Sequence, residues 1–237
     1  MQQYIYGKNI VFDKLKKKDS DIVEIFESGK RHQNIIDIAK QQNINVKIID
    51  QAKMDKQFKG NHQGVVAHVL SYEYAQLSDI IIDKPDATIL MLDQVEDPHN
   101  FGAIIRSAAA VGVDGIVILD RRAVGVTPTV IKTAAGAIDN VKIVKVNNLK
   151  RAMETLKDAG YWIVGSDLRD AVAYTDINYN MKTVLIMGSE GKGMSRLVRE
   201  GCDYIAKIPI VNDVESLNVS VATGVLLYEI LRQRTQK

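Results

Sequence analysis

The sequence predicts an α/β protein in two parts, a small N-terminal α/β unit and a larger parallel sheet covered by helices on both faces. Three observations predict it. From residue 87 onward, short apolar runs such as TILML, GIVIL and TVLIM alternate with helical runs. Near-continuous apolar strands between helices mark a parallel sheet buried on both sides. Before that region lies a turn signal, Asp83-Lys84-Pro85-Asp86, in which the proline cannot continue a regular element. The expected division is therefore 1–72, a connection over 73–86, and 87–237.

In the first part, helices fit 9–17 and 31–41, strands fit 22–26, 46–49 and 64–70, and a short helix fits between the last two strands. Residues 1–70 hold 12 Lys/Arg against 8 Asp/Glu, with Lys14, Lys16, Lys17 and Lys18 clustered. Such a patch can offset phosphate charge, and solvated helix faces explain it equally well. The connection carries Ile80-Ile81-Ile82, so part of it is expected to pack.

In the second part, strands are predicted over 88–92, 115–119, 141–146, 161–164, 183–187 and 204–208. Helices are predicted over 100–111, 128–137, 149–159, 195–200 and 218–233. In the last of these Val219, Ala222, Thr223, Leu226, Leu227 and Ile230 recur at helical spacing, and Arg232 and Arg234 suit its negative end. Asn218 or Ser216 is placed to cap it.

Composition narrows the function classes. The chain has 237 residues, is 46% hydrophobic and 25% charged, and carries a net charge of +2, so it is no polycation. No apolar run approaches the ~20 residues of a membrane span. The N-terminus lacks the basic-then-apolar order of a signal peptide, so a cytoplasmic location is expected. The single Cys202 excludes an intrachain disulfide and a multi-cysteine zinc site.

Three loops follow predicted strands, and ligands of parallel sheets sit at such carboxyl ends. The first, DQVEDPHNFG, leads into a helix with Arg106 about one and two-thirds turns beyond Asn100. Arg106 stands in sequence among Ile104, Ile105, Ala108 and Ala109, where a buried guanidinium is costly unless paired or awaiting an anion. His99, Glu96 and Asp97 lack a spaced ligand set for a metal. The second loop, Gly188-Ser189-Glu190-Gly191-Lys192-Gly193, lets a backbone approach a ligand closely. It is not a P-loop, because Met194 stands where the lysine belongs, and it is not GxGxxG, which argues against a nucleotide-dependent oxidoreductase. The third loop ends at Ser216-Leu217-Asn218. All three are expected on one rim.

Together the loops resemble the SpoU/TrmH family of the SPOUT superfamily, RNA ribose 2′-O-methyltransferases. The resemblance runs through Asn100-Phe101-Gly102-Ala103-Ile104-Ile105-Arg106, then Leu185-Ile186-Met187-Gly188-Ser189-Glu190-Gly191-Lys192-Gly193. It continues through Ile208-Pro209-Ile210 and Ser216-Leu217-Asn218-Val219-Ser220-Val221-Ala222. Tyr6-Gly7 and His62-Gln63-Gly64-Val65-Val66-Ala67 are similar to the branch that methylates a guanosine of large-subunit (23S) ribosomal RNA. In that branch the N-terminal domain resembles RNA-binding ribosomal proteins.

The resemblance implies a deep trefoil knot in the second part, S-adenosylmethionine as methyl donor, ribosomal RNA as partner, a homodimer through the C-terminal domain, and no metal. It implies donor contacts at Gly188, Ile208 and Leu217, and catalytic positions at Asn100, Arg106, Glu190, Ser216 and Asn218. A role for Arg106 as base conflicts with a guanidinium pKa above about 12, so a grip on phosphate with orientation of the 2′-hydroxyl is expected instead. Tyr4, Tyr6, Phe12, Arg31 and His32, and Arg121 and Arg122, are candidate RNA contacts. A tRNA substrate and a noncatalytic rRNA-binding protein are the competing readings.

Overall fold

The computed structural model describes residues 3–16, 21–29, 31–70 and 72–235; Lys17 and Lys18 of the basic cluster, and the end of the first expected helix, lie outside them. The chain forms two compact units, Met1–Glu73 with Val126–Pro128, and Tyr74–Gly125 with Thr129–Lys237.

The first unit is built on strands β1 (Gln3–Tyr6), β2 (Ile22–Ser28), β3 (Asn45–Ile49) and β4 (Val65–Val69), with helices α1 (Lys8–Leu15), α2 (Gln33–Gln41) and α3 (Gln51–Gln57). The sheet order is β1-β4-β2-β3. Alternation along the strands serves two layers. Ile25, Val65 and Ala67 pack with Val11, Leu15 and Ile35 of α1 and α2, whereas Phe26 and Val66 pack with Met54 and Phe58. Strand β1 was not expected from the sequence; four residues are too few to show a period.

Several N-terminal candidates for RNA contact also make contacts within the first unit. Tyr4 packs tilted against Phe58 at 5.2 Å between ring centres, and Phe12 packs against the α1–α2 layer. His32 Nδ1 lies 3.0 Å from Glu27 Oε1, a fully buried carboxylate that also accepts from the backbone N–H groups of Arg31 and His32. Arg31 is exposed.

The second unit contains β5 (Thr88–Leu92), β6 (Gly115–Leu119), β7 (Lys142–Val146), β8 (Trp162–Ser166), β9 (Val172–Ala173), β10 (Thr183–Met187) and β11 (Tyr204–Lys207). Its helices are α4 (Pro98–Ala110), α5 (Pro128–Ala134), α6 (Leu149–Asp158), α7 (Arg196–Glu200) and α8 (Val219–Thr235). The sheet order is β7-β6-β5-β10-β8-β11-β9, and every neighbouring pair is parallel. All carboxyl ends therefore share one rim. The strand order reverses beside β5, where β10 returns to its other side, and such switch points open a crevice.

One face buries Ile89, Met91, Val117, Val184 and Ile186 with Met153 and Leu156 of α6 and Val198 of α7. The alternate residues Leu90, Leu92, Ile116 and Leu185 are equally buried and point to the other face. The connection is anchored as its isoleucines suggest: Ile80 is fully buried, and a Cβ at Gly115 would fall 2.4 Å from its Cγ2. Among the described residues no helix is long and apolar enough to cross a membrane.

Helix boundaries differ from expectation where caps decide them. Helix α4 starts before Asn100, because Asp97 is the cap and accepts from Asn100 N at 2.7 Å. Helix α5 stops at Ala134; Ala135 (φ 51°) and Gly136 (φ 82°) turn left-handed before a single helical turn at Ala137–Asn140. Arg234 does more than oppose a helix dipole. Its guanidinium donates to the carbonyls of Tyr179 and Met181 and to Thr88 Oγ1, tying α8 to the start of β5.

Gly102 marks a close helix contact. A Cβ there would lie 2.5 Å from Thr133 Cβ and 3.0 Å from the Val130 carbonyl. Gly102→Ala is expected to cost about 1–3 kcal/mol through overpacking, read as a lower denaturation midpoint; an unchanged midpoint would show that α5 yields freely.

Candidate functional site

The three sequence-selected loops converge on the rim. Helix α8 begins at Asn218, whose Oδ1 accepts from Ser220 N at 3.0 Å and from Ser220 Oγ at 2.6 Å. Asn218, rather than Ser216, is therefore the cap. The other end of the same amide reaches across the rim, where Asn218 Nδ2 donates to Asn100 Oδ1 at 2.9 Å. One side chain thus closes α8 and joins it to the first turn of α4.

The loop after β10 is a closed hairpin. Ser189 N donates to the Gly193 carbonyl at 3.1 Å and Gly193 N donates to the Ser189 carbonyl at 2.9 Å. At Gly188 no side chain fits, because a Cβ would stand 2.2 Å from the Gly193 carbonyl carbon and 2.3 Å from Met194 N. Gly191 and Gly193 have φ of 80° and 68°, backbone that L residues adopt at a cost.

This hairpin separates two clefts. The first, about 420 Å³, is lined by Asp167, Gly188, Ile208, Glu215, Ser216 and Leu217 among others. The second, about 210 Å³, is lined by Val95, Glu96, Asn100, Glu190 and Lys192 among others. Ser189, Glu190, Lys192 and Val219 border both, so the clefts adjoin along the hairpin. Gly188, Ile208, Leu217 and Ser216 belong to the first, Asn100 to the second, and Glu190 to both.

Arg106 borders neither. It is exposed on α4, on a different side of the helix from Asn100 as their six-residue spacing requires. The expected cost of a buried guanidinium does not arise. The helix buries Phe101, Gly102, Ile104, Ile105 and Ala108 and leaves Arg106 on the outer stripe. Among the described residues no group of three or more His, Cys, Asp or Glu is placed to hold a metal.

Two contributors escaped the sequence. Asp93 is 1% exposed, and its Oδ2 accepts from Ser195 N at 2.6 Å, while its own N–H donates to the Met187 carbonyl at 2.9 Å. It fastens the end of β5 to both flanks of the hairpin. The second is the turn after β8. Gly165 interrupts that strand's apolar run, and its missing side chain leaves room for Met194 and Cys202, whose Cε and Sγ would lie 2.6 and 2.7 Å from a Cβ. The strand therefore runs on to Ser166 and delivers Asp167 to the first cleft.

Burial pushes the Asp167 carboxyl up, but hydrogen bonds from the backbone and guanidinium of Arg169 outweigh it, so the group titrates below the usual carboxylate range. Asp167 is thus held ionised in the cleft wall, paired with Arg169 and Arg199.

The chain is similar to known proteins. A family model described as the SpoU rRNA Methylase family matches residues 87–228. One described as RNA 2'-O ribose methyltransferase substrate binding matches residues 4–75. A Bacillus subtilis protein named for the TrmH family of tRNA/rRNA methyltransferases is 43% identical over 98% of this chain and 96% of its own length. Among solved structures, an AdoMet-bound rRNA methyltransferase from Sinorhizobium meliloti is 26% identical. It superposes with a TM-score of 0.65, covering 98% of this chain and 87% of that one. A TrmH/SpoU tRNA modifying enzyme from A. aeolicus is 32% identical with a TM-score of 0.59, covering 68% of this chain and 81% of that one.

Proposed function

The chain belongs to the SpoU rRNA methylase family, and from that premise we propose that it transfers a methyl group from S-adenosylmethionine to the ribose 2′-hydroxyl of a guanosine in 23S ribosomal RNA. Membership carries the coarser statement, an S-adenosylmethionine-dependent RNA methyltransferase. The observation that best supports transfer between a donor and a second substrate is the pair of adjoining clefts divided by the Gly188 hairpin, with the Asn218–Asn100 bond beside them.

The first cleft suits the donor. Its size lies within the range of small-molecule sites, roughly 300–1,000 Å³. Ile208, Ile210 and Leu217 offer an apolar wall, and Glu190 and Glu215, set among Arg169 and Lys192, offer negative charge to a cation. Backbone at Gly188 is open to a ligand because no Cβ intervenes. When bound, the donor supplies a sulfonium methyl carbon that is already electrophilic.

The chain's own work is placement. Asn100 and Asn218 fix the mouth of the second cleft, and Ser216 stands at the edge of the first. Arg106, a permanent cation, grips a phosphate and orients the hydroxyl rather than taking its proton. That proton passes to water or to a carboxylate of the second cleft, where Glu190 faces both clefts. Holding the hydroxyl in line with the methyl group is the larger part of the catalysis.

Two further elements belong to this reading. The first is a homodimer through α4 and α8. These helices pack on each other, and Val221 and Tyr228, one heptad apart on α8, are 53% and 56% exposed. A second copy covering that face would bring an Arg106 toward a cleft that its own chain does not reach. The second element is the trefoil knot, which fits the placement of β10 between β5 and β8. The domain at 1–72 is read as the RNA substrate-binding part.

A tRNA substrate is the second reading, favoured by the name of the A. aeolicus tRNA modifying enzyme and left open by the tRNA/rRNA name of the Bacillus protein. Labelled donor, purified protein and separate 23S rRNA and tRNA substrates discriminate. Label in a guanosine of 23S rRNA is expected. Label in tRNA alone would overturn the rRNA assignment, and donor binding without transfer to either RNA would favour a noncatalytic role.

A further inference from the structure

The first cleft carries both signs of charge: Asp167, Glu190 and Glu215 border it with Arg169 and Lys192, and Asp167 is paired with Arg169 and Arg199. Beyond β5, the carboxyl end of β6 carries Asp120-Arg121-Arg122. Both arginines are exposed and form no hydrogen bond or ion pair among the described residues. The adjacent carboxylate does not neutralise them, since Asp120 faces Lys145 at 3.8 Å.

The turn that carries them is fixed at both ends. Asp120 N donates to the Val146 carbonyl at 2.9 Å, and Val124 N donates to the Val95 carbonyl at 2.9 Å. Val124 is buried, and Val95 lines the second cleft. Between these anchors Arg122 is held at φ 61°, a conformation costly for a side chain that gains nothing locally from it. Such a cost at a rim position points toward a ligand.

We propose that Arg121 and Arg122 form a phosphate-binding subsite for the RNA strand, which leaves the second cleft across Val95 and runs toward β6. The two cations draw the strand toward β6 by offsetting phosphate charge. The arginines are positioning residues: they set which way the strand lies across the site and touch no reacting atom. This subsite rests on the RNA methyltransferase reading given above.

The test combines Arg121→Ala with Arg122→Gly, the second change keeping the positive φ without strain so that the turn survives. RNA binding and methyl transfer are measured across a salt series. Each lost phosphate contact flattens the slope of log K against log salt by roughly 0.7 for a single strand, so a change of about 1.4 is expected. KM for RNA should rise about tenfold or more, with kcat at saturating RNA and donor affinity unchanged. Arg121→Lys with Arg122→Lys should keep most of the binding, since a point charge suffices for phosphate. An unchanged slope and KM in the Ala/Gly variant, with the wild-type chain active, would overturn the subsite alone. A wild-type chain showing no salt-dependent RNA binding would overturn both the subsite and the reading beneath it.

Discussion

Arg106→Ala is expected to lower methyl transfer by about 10²–10³-fold, the usual loss when one fixed electrostatic contact to the reacting group is removed, with donor affinity unchanged. The separation follows from the geometry. Arg106 borders neither cleft of its own chain, so nothing that holds the donor is touched. Arg106→Lys should keep part of the phosphate grip but recover little transfer, because orienting the hydroxyl needs the planar two-pronged donor. Single-turnover rates with calorimetric titration of the donor check both halves. Near-normal turnover in the alanine variant would remove Arg106 from the reaction.

The same residue tests the dimer. Arg106→Ala and Asn218→Ala chains mixed in one dimer should recover activity if each arginine serves its neighbour's cleft. In that case one cleft per mixed dimer combines an intact arginine with an intact asparagine. Recovery of no activity would mean that Arg106 serves its own chain's cleft.

Gly188→Ala is expected to weaken donor binding about 10- to 100-fold, corresponding to roughly 1–3 kcal/mol of overpacking. The added Cβ would meet the Gly193 carbonyl carbon at 2.2 Å and Met194 N at 2.3 Å. Both are backbone atoms, and Gly193 is held by its two hydrogen bonds to Ser189, so relief requires opening the hairpin. Gly191→Ala is the comparison. Nothing lies within 4 Å of its added Cβ, so only its positive φ is penalised and the loss should be smaller. Equal affinities for Gly188→Ala and the wild-type protein would show that the hairpin does not shape the donor cleft.

Much of the fold was legible because the apolar runs are long and uninterrupted. TILML, GIVIL and TVLIM became β5, β6 and β10 at their expected bounds, and the buried stripe of α8 contains Val219, Thr223, Leu226, Leu227 and Ile230 as its period requires. Where one residue broke the run, legibility ended with it: Gly165 concealed the last residues of β8 and with them Asp167. The polar ends were harder for a different reason. Asp97, Asn100, Ser216 and Asn218 are all competent caps, and a single sequence does not rank them.

The sequence by itself determined the class of fold, the three loops that matter, and, through their motifs, the family to which the chain belongs. Those follow from local chemistry: side-chain period, turn residues and glycine where backbone must be bare. Only the tertiary structure decided that Asn218 bonds to Asn100, that buried Asp93 ties β5 to the hairpin, and that Arg106 faces outward. Each joins or separates residues that are distant along the chain or on different sides of a helix, and such relations depend on strand order and helix rotation, which local pattern does not encode.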